Sequence, residues 1–419
     1  KDAVGFMGNT IVQTPNLDSL AQKSAVFENA YVTTAICSSS RASILTGQYT
    51  ARHNIVDFST KLTGAARANT YPAILKADGY ETAFVGKYGV GDPDQQEIDE
   101  MFDYWKGFPG QGKYWIKQKT GIYQHLTHSM QEDALGFLDT RDPSKPFCLS
   151  ISFKSPHVEN IFEFTPDPEY KRLYRNDSIP PPHNGSTADY ENFPEFFKKN
   201  SVARTRWKLR FPTYEIYQEN VKDYYRLITG MDHAIGELLR SLKGKGLAEN
   251  TIVIFTSDNG YFHGEHGLAG KWFEHKESIQ VPMVIYDPRN LPKEDRIKEK
   301  IALNIDVAPT ILSFAGSTIP ESIQGKDLTS VLKNGNVGWR QYFWYEQLFG
   351  YDGKIPRVQG IVSNRYKYIH YIDENPHHIV LYDSEKDPDE NKNSIEGEGT
   401  RGLIRKLQDK YENFRRSAN

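Results

Sequence analysis

The stretch TYPAILKADGYETAFVGKYGVGD, residues 70–92, contains the smallest repeating unit of the predicted fold. The residues before Gly79 predict a helix, and Gly79 predicts a turn. The apolar residues that follow predict a short strand ending at Gly86. A helix that leads directly into a strand is the building block of α/β domains. An α/β domain would repeat this alternation along the rest of the chain.

Apolar runs of strand length recur further along the chain, at 147–153, 251–257 and 281–287. Helical patterns separate them, as in YYRLITGMDHAIGELLRSLKGKG at 224–246. Alternation of strands and helices over about 300 residues is typical of an α/β domain. The sequence predicts one large mixed, mainly parallel sheet between helices.

The pattern changes near residue 336, where short strands follow one another without intervening helices. A final amphipathic helix closes the chain. We therefore predict a catalytic α/β domain at 1–335 and a smaller C-terminal α+β domain at 336–419 with an antiparallel sheet. Residues 158–222 are rich in Pro and Tyr and predict a long insertion. The C-terminal strands are expected at 341–346, 358–363, 366–372 and 378–383.

Composition excludes several classes of protein. The 419 residues include 51 Lys+Arg and 54 Asp+Glu, and this balance argues against wholesale nucleic-acid binding. No apolar run reaches the length of a membrane span. Two cysteines cannot form a disulfide framework. No signal peptide is visible, and the first residue is Lys1 rather than an initiator Met, so the sequence leaves the compartment open.

One of the two cysteines lies in a chemically unusual segment, ICSSSRASILTGQY at 36–49. The serines that follow Cys37 are capping residues, so a helix is expected to begin among them. A residue just before a helix faces its positive end, and Arg41 adds a fixed charge. Cys37 is therefore predicted to be acidic and exposed, unless it is an incidental cysteine in a capped turn. Cys148 reads as a small buried hydrophobe.

The segment CSSSRASILTG resembles the signature of the sulfatase family, the formylglycine-dependent type I enzymes of the alkaline-phosphatase-like superfamily. Other segments resemble landmarks of the same family and occur in the same order, so the resemblance covers nearly the whole chain. These segments are TPNLDSLA upstream and then GYETAFVGK (79–87), FKSPHV (153–158), TSDNG (256–260), GEHGLAGKW (264–272) and LYDSEKDPDENKN (381–393).

The resemblance implies that a maturation enzyme converts Cys37 to formylglycine. One hydroxyl of the hydrated aldehyde then attacks sulfur, and the second loses its proton and expels sulfate. An ordinary thiol would retain a stable adduct. The implied roles are orientation of the diol by Arg41, bridging of diol and sulfate by Lys87, sulfate binding by Lys271, and donation towards the leaving oxygen or sulfate binding by His157.

The resemblance also implies a divalent metal held by Asp258, Asn259 and the group at Cys37. Oxygen ligation suits Ca²⁺, with Mg²⁺ as the alternative. Asp-Asn-Gly is also a common turn, but here it follows an apolar strand, where α/β sites form. His263 and His266 lie in a glycine-containing loop. They are either structural, solvated histidines or contacts to the sugar and its sulfate.

Three positions depart from the family pattern. The pattern opens with a strand that ends in two metal-binding aspartates, and these would precede Lys1. Without them the site has too few ligands for Ca²⁺, so we expect Asp258 to pair with a lysine or arginine. Gly89 stands where the family often has a histidine that contacts the diol. Ser39 replaces the usual Pro or Ala of the signature, which leaves the conversion of Cys37 open.

The function that the resemblance implies is hydrolysis of sulfate esters on a sulfated carbohydrate by a periplasmic or secreted enzyme. Abundant aromatics and the basic stretch KKNSVARTRWKLR (198–210) suit a polyanionic sugar chain, although that stretch also reads as a solvated charged face. A phosphate or phosphonate ester hydrolase of the same fold is one alternative. A non-catalytic relative that binds sulfated glycans is another.

Overall fold

The computed structural model describes residues 2–160, 162–289, 296–333, 338–397 and 399–418. Its α-helices are α1 Pro15–Ala21, α2 Cys37–Thr46, α3 Thr50–His53, α4 Gly64–Ala68, α5 Tyr71–Ala77, α6 Gln95–Met101, α7 Leu126–Thr140, α8 Thr187–Glu191, α9 Glu195–Lys198, α10 Val202–Arg210, α11 Tyr214–Gly244, α12 Lys276–Ile279, α13 Val307–Ala315, α14 Thr329–Lys333 and α15 Arg401–Ala418.

The strands are short, and each predicted apolar run contains one of them. They are β1 Ala25–Phe27, β2 Ala30–Tyr31, β3 Glu81–Lys87, β4 Tyr104–Phe108, β5 Trp115–Lys117, β6 Tyr123–His125, β7 Phe147–Ser152, β8 Val253–Thr256, β9 Phe262–His263, β10 Ala269–Gly270, β11 Met283–Tyr286, β12 Arg296–Ile297, β13 Ala302–Leu303, β14 Phe343–Gln347, β15 Val358–Val362, β16 Tyr366–Tyr371 and β17 His378–Asp383.

The strands of the α/β region form two principal sheets. A three-stranded parallel sheet has the order β4–β3–β7, and a four-stranded sheet has the order β12–β1–β11–β8. In the second sheet β11 runs antiparallel to both β1 and β8, whereas β12 is parallel to β1. The predicted α/β class is confirmed. The strands expected in one sheet are divided between two, because β7 and β8 do not pair with each other in the part of the chain described.

The longest helix, α11, packs against α7 and α1 and begins earlier than predicted. It starts at Tyr214 rather than near residue 224, with Thr213 capping its first turn. Its buried stripe includes Leu227 and Leu238, which join the core that also holds α7. The predicted insertion at 158–222 is therefore not irregular throughout. It contains α8, α9 and α10 and the first turns of α11.

The C-terminal strands form an antiparallel meander in the order β14–β15–β16–β17, and α15 packs against it. This agrees with the predicted class of the C-terminal region. The predicted boundary near residue 336 lies outside the described residues, so the division into two domains stays a prediction. The meander shares one apolar core with the α/β region. Trp344 and Tyr345 of β14 belong to the same buried cluster as Phe27 and Phe273.

Helix α2 is fixed by a buried polar turn at Asn304–Asp306. The Asn304 side chain accepts the Thr33 backbone N–H at 3.1 Å and donates to Ser40 Oγ at 2.9 Å. Asp306 is fully buried and accepts two hydrogen bonds from the Arg340 guanidinium, at 2.6 and 2.7 Å. Ion pairing beneath the turn therefore helps to hold the helix that carries Cys37. Within the described ranges, no helix is both long and apolar enough to cross a membrane.

We expect Arg340→Met to destabilise the protein by roughly 3–5 kcal/mol, because it leaves the buried Asp306 carboxylate without its charged partner. The matched control is Arg357→Met. It removes a comparable Arg357–Asp373 pair of 2.6 Å at the surface and should cost about 0–1 kcal/mol. Urea unfolding of both variants checks this. Equal losses of unfolding free energy would contradict the role assigned to Asp306.

Candidate active site

Cys37 is the first residue of α2, so the helix begins one residue earlier than predicted. Ile36 occupies the capping position with extended backbone, and the serine hydroxyls do not cap the helix. Ser38 Oγ instead donates to the Asp57 carbonyl at 2.5 Å. The predicted exposure of Cys37 is wrong, because only 2% of its surface is accessible. Its side chain still lies at the positive end of a ten-residue helix, where anions are stabilised.

Arg41, one turn along the same helix, connects the ends of three strands. Its Nε donates to Asp258 Oδ2 at 2.8 Å, after β8. Its Nη1 donates to the Lys87 carbonyl at 2.6 Å, at the end of β3, and to Ser152 Oγ, at the end of β7. The expected pairing of Asp258 with a basic residue is therefore present. Arg41 joins the carboxyl ends of strands from both principal sheets.

Lys87 approaches Cys37 through a loop that the sequence motifs did not identify. Lys87 Nζ donates to Gln111 Oε1 at 2.7 Å, and Gln111 Nε2 lies 3.9 Å from Cys37 Sγ. The buried Lys154 ammonium holds this loop by donating to the carbonyls of Gln111 and Gly112, each at 3.0 Å. Lys154 lies in the FKSPHV segment, so that motif could have identified it as a residue of the site. Gln111 lies in a glycine-containing loop that carries no motif.

Lys271 reaches the same region from the other side. Its Nζ donates to Asn259 Oδ1 at 2.8 Å. The next residue, Trp272, is buried and has φ 94°, a left-handed conformation that is rare for a bulky side chain. The Trp272 carbonyl accepts the Tyr345 hydroxyl at 2.5 Å, so β14 of the C-terminal sheet supports this strained backbone.

These residues create a local excess of positive charge. Burial raises the pKa of the Cys37 thiol, but Lys271 and Lys87 outweigh burial and lower it to about 7. Burial also raises the pKa of Asp258, but Arg41, Lys271 and Lys87 hold it well below its ordinary value. Burial lowers the pKa of Lys87 to about 8. The arrangement therefore stabilises negative charge at position 37 near neutral pH.

His157 lies beside the two lysines and is neutral in the free protein. Its Nδ1 lies 2.8 Å from the Val158 carbonyl, and the Tyr114 hydroxyl donates to the His157 carbonyl at 2.7 Å. Burial and the charges of Lys87 and Lys271 lower the imidazole pKa well below its ordinary value. The His157 imidazole is therefore singly protonated at neutral pH unless a negatively charged ligand binds beside it. Its role as a proton donor stays a prediction.

The structure separates the two loop histidines and exposes neither of them. His263 is packed against Tyr224 and Tyr261, and it lines a cavity of about 340 Å³ that also touches Asn259. His266 lies in the interior against His275, with Glu277 3.7 Å away. The alternative of solvated histidines is therefore wrong. A sugar contact remains a prediction for His263, whereas the observed contacts of His266 are internal.

The residues that resemble metal ligands do not form a complete cation site by themselves. Asp258 already pairs with Arg41, and the Asn259 side-chain oxygen accepts a hydrogen bond from Lys271. The described part of the chain holds no cluster of three or more His, Cys, Asp or Glu side chains able to hold a metal. Calcium needs six to eight oxygen ligands, as a rough rule. The two side chains fit part of such a shell only.

Gly89 has a steric reason to lack a side chain. Its φ is +74°, and a Cβ at this position would lie 2.9 Å from Arg41 Cδ. Histidine at this position would therefore collide with the Arg41 side chain in its observed conformation. The departure from the family pattern at Gly89 is compatible with the way Arg41 binds Asp258.

We expect the unconverted Cys37 thiol to ionise with a midpoint near pH 7, measured as ultraviolet thiolate absorbance. Lys271→Met should move this midpoint upward by about one pH unit or more, because it removes the largest favourable charge. Cys37→Ala is the control. It leaves Cys148, whose pKa burial raises to about 12, so the neutral-pH transition should disappear. An unchanged midpoint in Lys271→Met would contradict the assigned electrostatics.

Comparison with known proteins agrees with this geometry. The family model Sulfatase matches residues 1–317, and the model N-sulphoglucosamine sulphohydrolase, C-terminal, matches residues 264–417. An N-acetylglucosamine-6-O-sulfatase of Bacteroides thetaiotaomicron is 28% identical over 93% of this chain and 80% of its own length. An arylsulfatase of Clostridium perfringens is 29% identical over 95% of this chain and 88% of its own length.

A solved structure of a protein in complex with its substrate, D-glucosamine-2-N,6-O-disulfate, superimposes with a TM-score of 0.87. It is 26% identical to this chain, and the alignment covers 100% of this chain and 95% of the other. The Sulfatase model spans three quarters of the chain, including the Cys37 helix, the strand ends and Lys271. The chain therefore belongs to the sulfatase family, the sulfuric ester hydrolases with an alkaline-phosphatase-like fold.

Proposed function

We propose that this protein hydrolyses sulfate esters of a sulfated carbohydrate, with formylglycine at position 37. The observation that carries the proposal is the placement of Cys37 at the start of α2 among Arg41, Lys87 and Lys271, an environment that favours an anion at this side chain. Relatives named for N-acetylglucosamine 6-sulfate support a sulfated amino sugar as the substrate. The proposed location is periplasmic or secreted, where sulfated polysaccharides occur.

Formylglycine at position 37 would be hydrated to a diol, which supplies one hydroxyl to accept sulfate and a second whose deprotonation releases it. The other residues then bind and orient. Lys87 and Lys271 hold sulfate oxygens, and their charges oppose the negative charge that grows during transfer. Arg41 fixes the position of Asp258 and the strand ends. The environment of residue 37 fits this group because it already lowers the pKa of a thiol there to about 7.

His157 is proposed to protonate the leaving sugar oxygen. In the free protein its Nε2 is unprotonated, because the pKa is lowered and Nδ1 faces the Val158 carbonyl. A bound sulfate brings negative charge against the two lysines and raises the imidazole pKa. Proton uptake at Nε2 would therefore accompany substrate binding and supply the general acid where the ester bond breaks.

A divalent cation, Ca²⁺ or alternatively Mg²⁺, is proposed next to Asp258 and Asn259. Both side chains offer oxygen atoms, the ligands that these ions prefer. The observed contacts to Arg41 and Lys271 mean that further oxygen ligands must complete the site. The upstream aspartate pair expected from the family pattern stays a prediction, and no step of the proposed reaction is assigned to the cation.

Conversion and turnover should be measured together, after expression with a formylglycine-generating maturation enzyme. We expect mass spectrometry to find formylglycine at position 37 and the protein to release sulfate from N-acetylglucosamine 6-sulfate. Cys37→Ala should abolish turnover, because it removes the nucleophile. Faster cleavage of a phosphate or phosphonate aryl ester than of the matching sulfate would favour the alternative hydrolase. Conversion without any turnover would favour a binding protein.

We expect Lys87→Met to lower kcat by roughly 10²- to 10³-fold, because it removes a preorganised charge from the developing sulfate oxygens. The matched control is Lys106→Met. Lys106 lies on β4 opposite Val85 of β3, outside the site. Steady-state kinetics on the same sulfated sugar distinguish the two variants. Equal rates for Lys87→Met and the parent protein would remove Lys87 from the catalytic set.

A further inference from the structure

The basic stretch at 198–210 is only partly the solvated charged face that one interpretation predicted, because Lys199 and Lys208 are exposed whereas Arg204 and Arg210 are buried. It contains the last residue of α9, the turn that follows and α10. Arg204 is buried, with its guanidinium 4.0 Å from the Trp207 ring, and it donates to the Gly267 carbonyl at 2.9 Å. Arg210 is buried and donates to the Tyr261 hydroxyl. These two arginines are therefore structural.

Arg206 differs from these neighbours. Its guanidinium carbon lies 4.7 Å from the centre of the Trp272 ring. Its side chain is half-buried, and burial together with the like charge of Arg210 lowers its pKa. Among the described residues it makes no hydrogen bond or ion pair. A guanidinium has five N–H donors, and a buried or half-buried arginine usually pairs with an anion.

Arg206 lies against the chain segment that carries Lys271. Trp272, on which it stacks, directly follows Lys271. The Nη1 atom of Arg206 lies 3.7 Å from the position that a Cβ of Gly270 would occupy. Gly270 and Trp272, the two chain neighbours of Lys271, are therefore both close to the Arg206 side chain.

Exposed aromatic residues of the C-terminal region complete this corner. Tyr351 is one of the groups that affect the pKa of Arg206. Of the Tyr351 surface, 46% is exposed. Its ring stacks on Phe349 at 5.7 Å, and Phe349 meets the exposed Phe58 edge-on at 5.4 Å. Phe58 follows Asp57, whose carbonyl contacts Ser38 beside Cys37. These three rings form an aromatic strip that begins at Phe58 and ends at Tyr351.

We propose that Arg206 binds a second anionic group of the saccharide, beside the sulfate that Lys271 and Lys87 hold. Packing against the Trp272 ring holds the guanidinium in place, and its N–H groups are available for a sulfate or carboxylate. The exposed side chains of Phe58 and Tyr351 offer apolar contacts to the sugar. The inference rests on the proposed function for its first anionic group and adds a specificity-determining residue.

The test compares two sugars that differ only in the second charge, D-glucosamine-2-N,6-O-disulfate and N-acetylglucosamine 6-sulfate. Arg206→Ala should lower kcat/KM for the disulfated sugar by about 10- to 100-fold, mainly through KM, because a charged pair is lost. The monosulfated sugar should change by less than about twofold, because it lacks the second charge and the substitution removes no hydrogen bond or ion pair within the described part of the chain. Arg206→Lys should recover part of the loss. Lys208→Ala, an exposed residue on the same helix, should change neither sugar.

A disaccharide of N-acetylglucosamine 6-sulfate and a uronic acid distinguishes the source of the second charge. Selective loss on the disulfated sugar assigns Arg206 to a sulfate, and selective loss on the uronic acid assigns it to a carboxylate. Equal loss on all three probes, including the monosulfated sugar, would show a structural role and overturn the inference. No loss on any probe would overturn it as well.

A binding measurement separates this inference from the proposed function. Calorimetric titration of the Cys37→Ala protein with the disulfated sugar needs no turnover. Binding that weakens by about tenfold or more in the Cys37→Ala, Arg206→Ala protein supports the inference even if no sulfate ester is hydrolysed. Turnover of the disulfated sugar with no dependence of binding on Arg206 would overturn the inference and leave the proposed function intact.

Discussion

The Arg41 guanidinium is the contact on which the arrangement of the site depends. It reaches the end of β3 through the Lys87 carbonyl, the end of β7 through Ser152, and the Asp258 carboxylate after β8. The strands belong to two sheets that are not hydrogen-bonded to each other in the described ranges. One planar, multidentate cation therefore sets the relative position of Cys37, Lys87 and Asp258. Lysine would be a poor replacement, because its three N–H donors all lie on one freely rotating nitrogen, whereas the guanidinium holds its donors in a fixed plane.

Positive charge at the site is supported by carbonyls and amides rather than by a matching set of carboxylates. Lys87 donates to Gln111, Lys271 to Asn259, and Lys154 to two backbone carbonyls. Neutral oxygen partners satisfy the N–H groups but leave the net charge in place. Lys271 and Lys87 lower the pKa of Cys37 against the effect of burial, whereas burial together with the same two charges lowers the pKa of His157. A bound anionic ligand would offset the charges of the two lysines and so raise the pKa of His157.

Sequence reasoning predicted the elements of the fold better than their edges. Apolar runs located β3, β7, β8 and the C-terminal meander because buried strands carry a local signal. The division into two sheets depends on which strands pair, and pairing is not encoded in one segment. The predicted start of α2 differs from the observed one because the serines after Cys37 do not cap the helix; Ser38, for example, donates to the Asp57 carbonyl. Burial of Cys37 and the contact with Gln111 arise from a distant loop, and a local motif cannot show either.

The support of the Lys271 backbone by Tyr345 has a consequence for how such proteins diversify. Strand β14 hydrogen-bonds the Trp272 carbonyl, and its Glu346 carboxylate accepts the Ala51 backbone N–H at 2.8 Å. The C-terminal meander therefore supports the backbone next to Lys271. Exchanging this meander between relatives by recombination would alter the Lys271 loop unless the residues that contact it were inherited together. New substrate preferences are then more accessible through the loop that carries Tyr351, which can vary in length while β14 stays in register.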